Sequence, residues 1–247
     1  MLIAFKRILR FDRRSSGLFQ GNVLISLGSF FSRQPASLLG LDISSSSVKL
    51  VELGRDKAGN LVLERCAIEP LERGWITDGN IEKFDEVANA LRRLVKKSGS
   101  STKNVAMALP PSAVITKKII LPGGLTDQEL EQQVETEANQ YIPFPLDEVS
   151  LDFCVIGPSS TSVGDIEVLI AASRREKVQD IQGLAEAAGL TPVVVDVESY
   201  ASRLAAGRLI DNLPGKGAGL IVALFEVGAL TTSMQVLRDE EVLYDRD

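Results

Sequence analysis

Leu39-Gly40-Leu41-Asp42-Ile43-Ser44-Ser45-Ser46-Ser47-Val48-Lys49-Leu50-Val51-Glu52-Leu53 sets two apolar runs on either side of four consecutive serines. The pattern reads as strand over 38–43, polar turn over 44–47 and strand over 48–53. A turn of this kind gathers backbone N–H groups and hydroxyls at one point, which suits a terminal phosphate, and Lys49 is close enough to add a point charge. Asp42 would be repelled by a phosphate, but it can hold the water shell of Mg²⁺. A four-serine turn taken alone also reads as a solvated loop.

Working outward, the turn signal Lys57-Ala58-Gly59-Asn60 precedes a third strand over 61–68, completing an antiparallel meander. Apolar residues at helical spacing from Ile81 to Val95, with Lys96 and Lys97 in the last turn and Gly99 beyond, predict a helix over 81–97. A strand over 104–109 stops at Pro110-Pro111. A new unit follows, with a strand over 113–121 and a capping box at Thr126-Asp127-Gln128-Glu129 that opens a helix ended by Pro143 and Pro145. Strands are expected over 150–156 and 166–172, then a helix capped by Ser173 and Glu176 that stops at Gly189.

The run 192–197 reads as a central strand buried on both faces. It carries Asp196 and Glu198 to its C-terminal end, where ligands bind in open α/β sheets. The pair could serve a bound cation or simply cap the helix expected over 199–210. After the linker 212–217 the opening layout returns, with strands over 220–225, 230–237 and 242–244. Glu226 stands where Asp42 stood, and Glu226, Gly228 and Thr232 take the roles of the first turn, as in an internal duplication around a cleft. The expected division is a basic extension over 1–35, a first lobe over 36–110, an inserted subdomain over 111–189, a return to the first lobe over 190–214 and a second lobe from 215 to 247.

Composition narrows the function. The 247 residues carry a net charge of −6, which offers no field for nucleic acid. There is no histidine, so Ser-His-Asp and Cys-His chemistry is excluded. Cys66 and Cys154 lie in apolar runs and read as small buried hydrophobes of a reducing compartment. The apolar run 217–234 is broken by Glu226 and reads as two strands, not a membrane span. Lys6, Arg7, Arg10, Arg13, Arg14 and Arg33 face one acid, Asp12, in the first 35 residues. That segment reads either as a basic arm for an anionic membrane surface or as an upstream extension with initiation near Val23.

Three stretches together resemble the PilM family of type IV pilus assembly proteins. They are the opening stretch quoted above, Glu137-Ala138-Asn139-Gln140-Tyr141-Ile142-Pro143-Phe144-Pro145-Leu146-Asp147-Glu148-Val149, and Val193-Val194-Val195-Asp196-Val197-Glu198-Ser199-Tyr200-Ala201. The resemblance implies an α/β, actin-like (ribonuclease H-like) fold related to FtsA, with an inserted βαββα-type subdomain. It also implies a scaffold of pilus assembly, cytoplasmic and peripheral at the inner membrane. ATP and Mg²⁺ would lie between the lobes, at Asp42, Ser44, Ser45, Ser46, Ser47, Lys49, Glu226, Gly228 and Thr232. A groove would hold the N-terminal tail of a PilN-type inner-membrane protein, with other platform proteins and the assembly motor as further partners. Ile119, Leu121, Tyr141 and Phe144 are groove candidates, although their stripes also read as core.

Ser44 replaces the glycine usual in actin-like proteins, and Glu226 replaces the usual aspartate. Family members continue past Asp247, and a whole lobe takes on the order of 100 to 150 residues. A truncated second lobe with weak nucleotide binding is therefore expected. Two alternatives stand beside the scaffold. One is an actin-fold ATPase or phosphotransferase using Asp196 or Glu198 to orient the attacking oxygen; the other is the cytoplasmic part of a GspL-like type II secretion protein.

Overall fold

The computed structural model describes residues 37–239 and 241–246, so the basic segment 1–35 lies outside the described residues. The chain opens with β1 (Leu39–Ile43), β2 (Ser47–Arg55) and β3 (Leu61–Pro70), a short ribbon of β4 (Ile76–Thr77) and β5 (Asn80–Ile81), then α1 (Phe84–Ser98) and β6 (Asn104–Leu109). It continues with β7 (Val114–Pro122), α2 (Asp127–Tyr141), β8 (Val149–Pro158) and β9 (Asp165–Arg174). α3 (Arg175–Ala187), β10 (Thr191–Val197) and α4 (Glu198–Ile210) lead to the closing strands β11 (Ile221–Val227), β12 (Thr232–Arg238) and β13 (Glu241–Arg246).

The main sheet has the order β10-β6-β1-β2-β3, with β1, β2 and β3 antiparallel and β6 parallel to both β1 and β10. Alternation along β1 and β2 points Leu39, Leu41, Val48 and Leu50 to one face, where they form a core with Val87, Leu91 and Leu94 of α1 and Val178, Ile181 and Leu184 of α3. Each fully buried leucine there contributes roughly 1.5–3 kcal/mol of transfer free energy. α1 ends as expected, with Lys96 and Lys97 in its last turn and Gly99 in the left-handed conformation. α3 closes with Gly189 at φ 76° while the N–H of Leu190 donates back to the Ala185 carbonyl. This backward bond satisfies a helix-end carbonyl and buries Leu190.

The inserted sheet has the order β7-β9-β8 and packs Ile119, Leu121, Val168 and Ile170 against Leu130, Val134 and Ala138 of α2. The Thr126–Glu129 capping box forms as expected. α3 joins the core of the main sheet and not that of the insert, so residues 175–187 of the expected unit 111–189 pack elsewhere. The third sheet is the meander β11-β12-β13.

Several sequence expectations need correction. β10 is the edge of the main sheet, not a central strand, and its ladder with β6 slips between Pro192 and Val194, as an edge proline permits. α1 begins at Phe84, because Ile81 is taken by the β4–β5 ribbon, where it pairs with Ile76. Ser173 does not cap α3: it remains in β9 and donates its hydroxyl to the Ala113 carbonyl. Glu176 instead pairs with Arg174. Cys66 is exposed, since β3 is the other edge and this side chain lies on the face away from the helices.

Candidate functional site

The two duplicated turns are built alike. In the first, Ile43 pairs with Val48 and the Ser44 N–H donates to the Ser47 carbonyl. In the second, Val227 pairs with Thr232 and the Gly228 N–H donates to the Thr231 carbonyl. Each loop therefore closes over four residues, 44–47 and 228–231, with the same bond. Ser44 suits this turn because its hydroxyl adds a second donation to the Ser47 carbonyl at 2.9 Å. Gly228 is needed for closeness, since a Cβ there would sit 3.0 Å from the Thr231 carbonyl oxygen.

The register sets Asp42 opposite Lys49, and their side chains form an ion pair at 2.5 Å, each 45% exposed. The Lys49 ammonium also lies 3.4 Å from the Ser44 hydroxyl. The structure thus brings Asp42, Ser44 and Lys49 together, while the N–H groups of Ser45 and Ser46 donate to no backbone carbonyl among the described residues. Those amides and hydroxyls fit an anion, with Lys49 in reach. Asp42 fits a hydrated divalent cation only if Lys49 turns to the anion. Among the described residues no group of three or more Asp, Glu, His or Cys gathers around a point, so Mg²⁺ would draw most ligands from water and phosphate.

Glu226 is held from another side. Its carboxylate accepts the Ser202 hydroxyl of α4 at 2.8 Å, and Thr232 stands exposed across the loop. Among the described residues no hydrogen bond or ion pair joins the two hairpins directly; α4 ties the second one to the rest of the chain. Asp196 ends β10 half-buried. Burial pushes its carboxyl upward, opposed by its bond to the Val197 N–H and by the nearby Arg203. Glu198 begins α4, where a carboxylate complements the helix dipole.

The groove candidates do not share one surface. Ile119 and Leu121 lie on the face of β7 that packs on α2 and are core residues, because alternation leaves them no other side. Tyr141 is exposed beneath the Lys117 ammonium, 4.9 Å from its ring centre. Phe144 lies under the Arg174 guanidinium at 4.4 Å and lines a cavity of about 170 Å³. This cavity sits at the seam between the insert and α3. Ile115, Ile142, Phe144 and Val149 are apolar in its lining, and Arg174 and Lys177 are its cations. Lys177 is steadied by Asn80 at 2.6 Å. Sequence reading missed the seam because its lining comes from five separate stretches. It also missed Ser202 and Gln235, whose partners are 24 and 36 residues away in the chain.

Residues 40–247 match a family model described as type IV pilus assembly protein PilM. Among solved structures, a PilM–PilN type IV pilus biogenesis complex is 30% identical with a TM-score of 0.72, over 85% of this chain and 60% of that one. The cytoplasmic domain of EpsL, an inner membrane component of the type II secretion system of Vibrio cholerae, is 12% identical with a TM-score of 0.47, over 83% of this chain and 68% of that one. The ethanolamine utilization protein EutJ of Carboxydothermus hydrogenoformans is 14% identical with a TM-score of 0.43, over 87% of this chain and 53% of that one.

Proposed function

The chain belongs to the PilM family of type IV pilus assembly proteins, with an actin-like α/β fold, and from that premise we propose that it is a scaffold holding the N-terminal tail of a PilN-type inner-membrane protein at the seam between insert and main domain. It spans 60% of the length of the family structure it matches. The observation that carries the proposal is the seam cavity, whose apolar floor and cationic lip suit a short peptide with an apolar anchor. Phe144 is the central contact, held flat by Arg174. Among the described residues no helix is long and apolar enough to cross a membrane. Attachment to the inner membrane from the cytoplasmic side then comes through the partner.

The same reading assigns ATP and Mg²⁺ to the duplicated hairpins. Ser44, Ser45, Ser46, Ser47 and Lys49 would meet the phosphates, Asp42 would hold magnesium through water, and Glu226, Gly228 and Thr232 would close on it from the second sheet. Bound nucleotide would supply negative charge between the hairpins, and Lys49 would leave Asp42 to meet it.

Calorimetric titration with a synthetic N-terminal peptide of the PilN-type partner tests the scaffold. Saturable binding that weakens about tenfold or more in Phe144→Ala supports the seam. Absence of binding to the unsubstituted chain ends the proposal. Asp42→Ala is expected to remove any magnesium-dependent nucleotide signal, and an unchanged signal would put the nucleotide elsewhere.

A further inference from the structure

The seam cavity holds a positive charge that nothing beside it balances. Its apolar wall comes from Ile115, Ile142, Phe144 and Val149, and no acidic side chain is among the residues that line it. Of its two cations, Arg174 is already engaged. Glu176 pairs with it at 3.1 Å, and its guanidinium lies 4.4 Å from the centre of the Phe144 ring. The Lys177 ammonium instead donates to the side-chain oxygen of Asn80, a neutral acceptor, at 2.6 Å, and it forms no ion pair among the described residues.

Lys177 is half-buried, so its missing counter-charge matters more than it would on an open surface: opposite charges attract more strongly where apolar walls displace water. Its neighbours strengthen the same field. Arg175 donates to the Val149 carbonyl at 3.4 Å, which sets three cations within residues 174–177 against Glu176 alone. Asp147 and Glu148 precede Val149 but are exposed and outside the lining, and so is Asp180 one turn along α3.

We propose that the cavity takes a carboxylate together with an apolar anchor and that Lys177 reads the charge. Resting on the scaffold reading for the ligand's nature, the carboxylate is an Asp or Glu side chain next to the apolar residue that enters the cavity. The labour is divided: Phe144 and the aliphatic wall accept the anchor, Arg174 covers the ring, and Lys177 meets the anion as a point charge. Asn80 holds the ammonium in place beforehand, which reduces the side-chain entropy lost on binding. Ser112 brings a hydroxyl to the same lining as a second donor.

Methyl NMR titration of the whole chain with acetyl-Leu-Glu-amide and with acetyl-Leu-Gln-amide tests this. The Glu probe is expected to shift the methyl signals of Ile115, Ile142 and Val149 saturably and to bind at least about fivefold more tightly than the Gln probe. That advantage should shrink in about 0.5 M NaCl, vanish in Lys177→Gln and persist in Lys177→Arg. Equal affinities, an advantage that survives in Lys177→Gln, or no shift at those methyls with either probe overturns the proposal. Neither probe contains the PilN-type tail, so these results stand whatever the tail does. A tail that binds the unsubstituted chain and Lys177→Gln equally well would leave the scaffold reading in place and overturn this one.

Discussion

The main sheet and the third sheet open with the same hairpin and are covered on opposite faces. Leu41 pairs with Leu50 one step from the first loop's acid, and Phe225 pairs with Met234 at the matching place in the second. α1 and α3 bury the first pair's face, leaving Leu41 5% exposed. In the third sheet α4 takes the other face, the one bearing Glu226 and Gln235, while Phe225 is 61% and Val227 80% exposed. A hairpin's shape is thus a local property of loop length and closing bond. Which of its faces becomes core depends on where helices from elsewhere in the chain come to rest.

The sharpest way to break this comparison is a matched pair of truncations. Leu41→Ala is expected to cost about 2–5 kcal/mol in urea unfolding, because it opens a void among residues that cannot collapse. Phe225→Ala should stay within about 0.5 kcal/mol. A comparable loss at Phe225 would mean that its face is covered in solution.

Next in size is Glu52, which occupies on β2 the place that the half-buried Val236 has on β12. Its carboxylate accepts hydroxyls from Thr102 at 2.6 Å and Ser37 at 2.9 Å, with Arg65 at 3.5 Å, and it is nearly shielded from water. The bond from Thr102 first of all, with the Ser100 hydroxyl nearby, holds its carboxyl below the ordinary value of 4.5. A group depressed on folding stabilises above its unfolded value and loses that contribution as pH falls through the lower folded value. Glu52→Gln should therefore cost about 1–3 kcal/mol at neutral pH. Below about pH 4.5 the difference from the unsubstituted chain should shrink in a series of unfolding curves. A difference independent of pH would show that the carboxylate is not the source.

Smaller losses than at Leu41 or Glu52 are expected at the loops. Ser44→Ala removes one hydroxyl bond and should cost about 0.5–1.5 kcal/mol. Gly228→Ala brings a methyl to within 3.0 Å of the Thr231 carbonyl oxygen and should cost a similar amount through strain. Equal thermal shifts would confirm that the loops are equivalent. A much larger shift at Ser44 would show that its hydroxyl does more than close the turn.

Both hairpins, the caps at Thr126 and Gly99, and the stripes of α1 and α2 were legible in the order of residues, because each depends on contacts within a few positions or on a period of two or 3.6. The candidate nucleotide site was legible as two hairpins but not as an arrangement. That Lys49 pairs with Asp42 follows from the register across a four-residue loop, whereas the hold of Ser202 on Glu226 does not follow from any local pattern. The apolar stripe of β7 showed that Ile119 and Leu121 share a face, but only α2's position made that face core rather than groove.

The amino-acid order alone determined where the chain turns, which side chains share a face and which family it joins, since steric and hydrogen-bonding preferences act over a few residues. Tertiary packing decided that β10 is an edge, that α3 serves the main core and that α4 lies against the main sheet and bonds to the third. These outcomes rest on contacts between segments tens of residues apart, and the free energy of burying an apolar face is the same in kind whichever partner covers it.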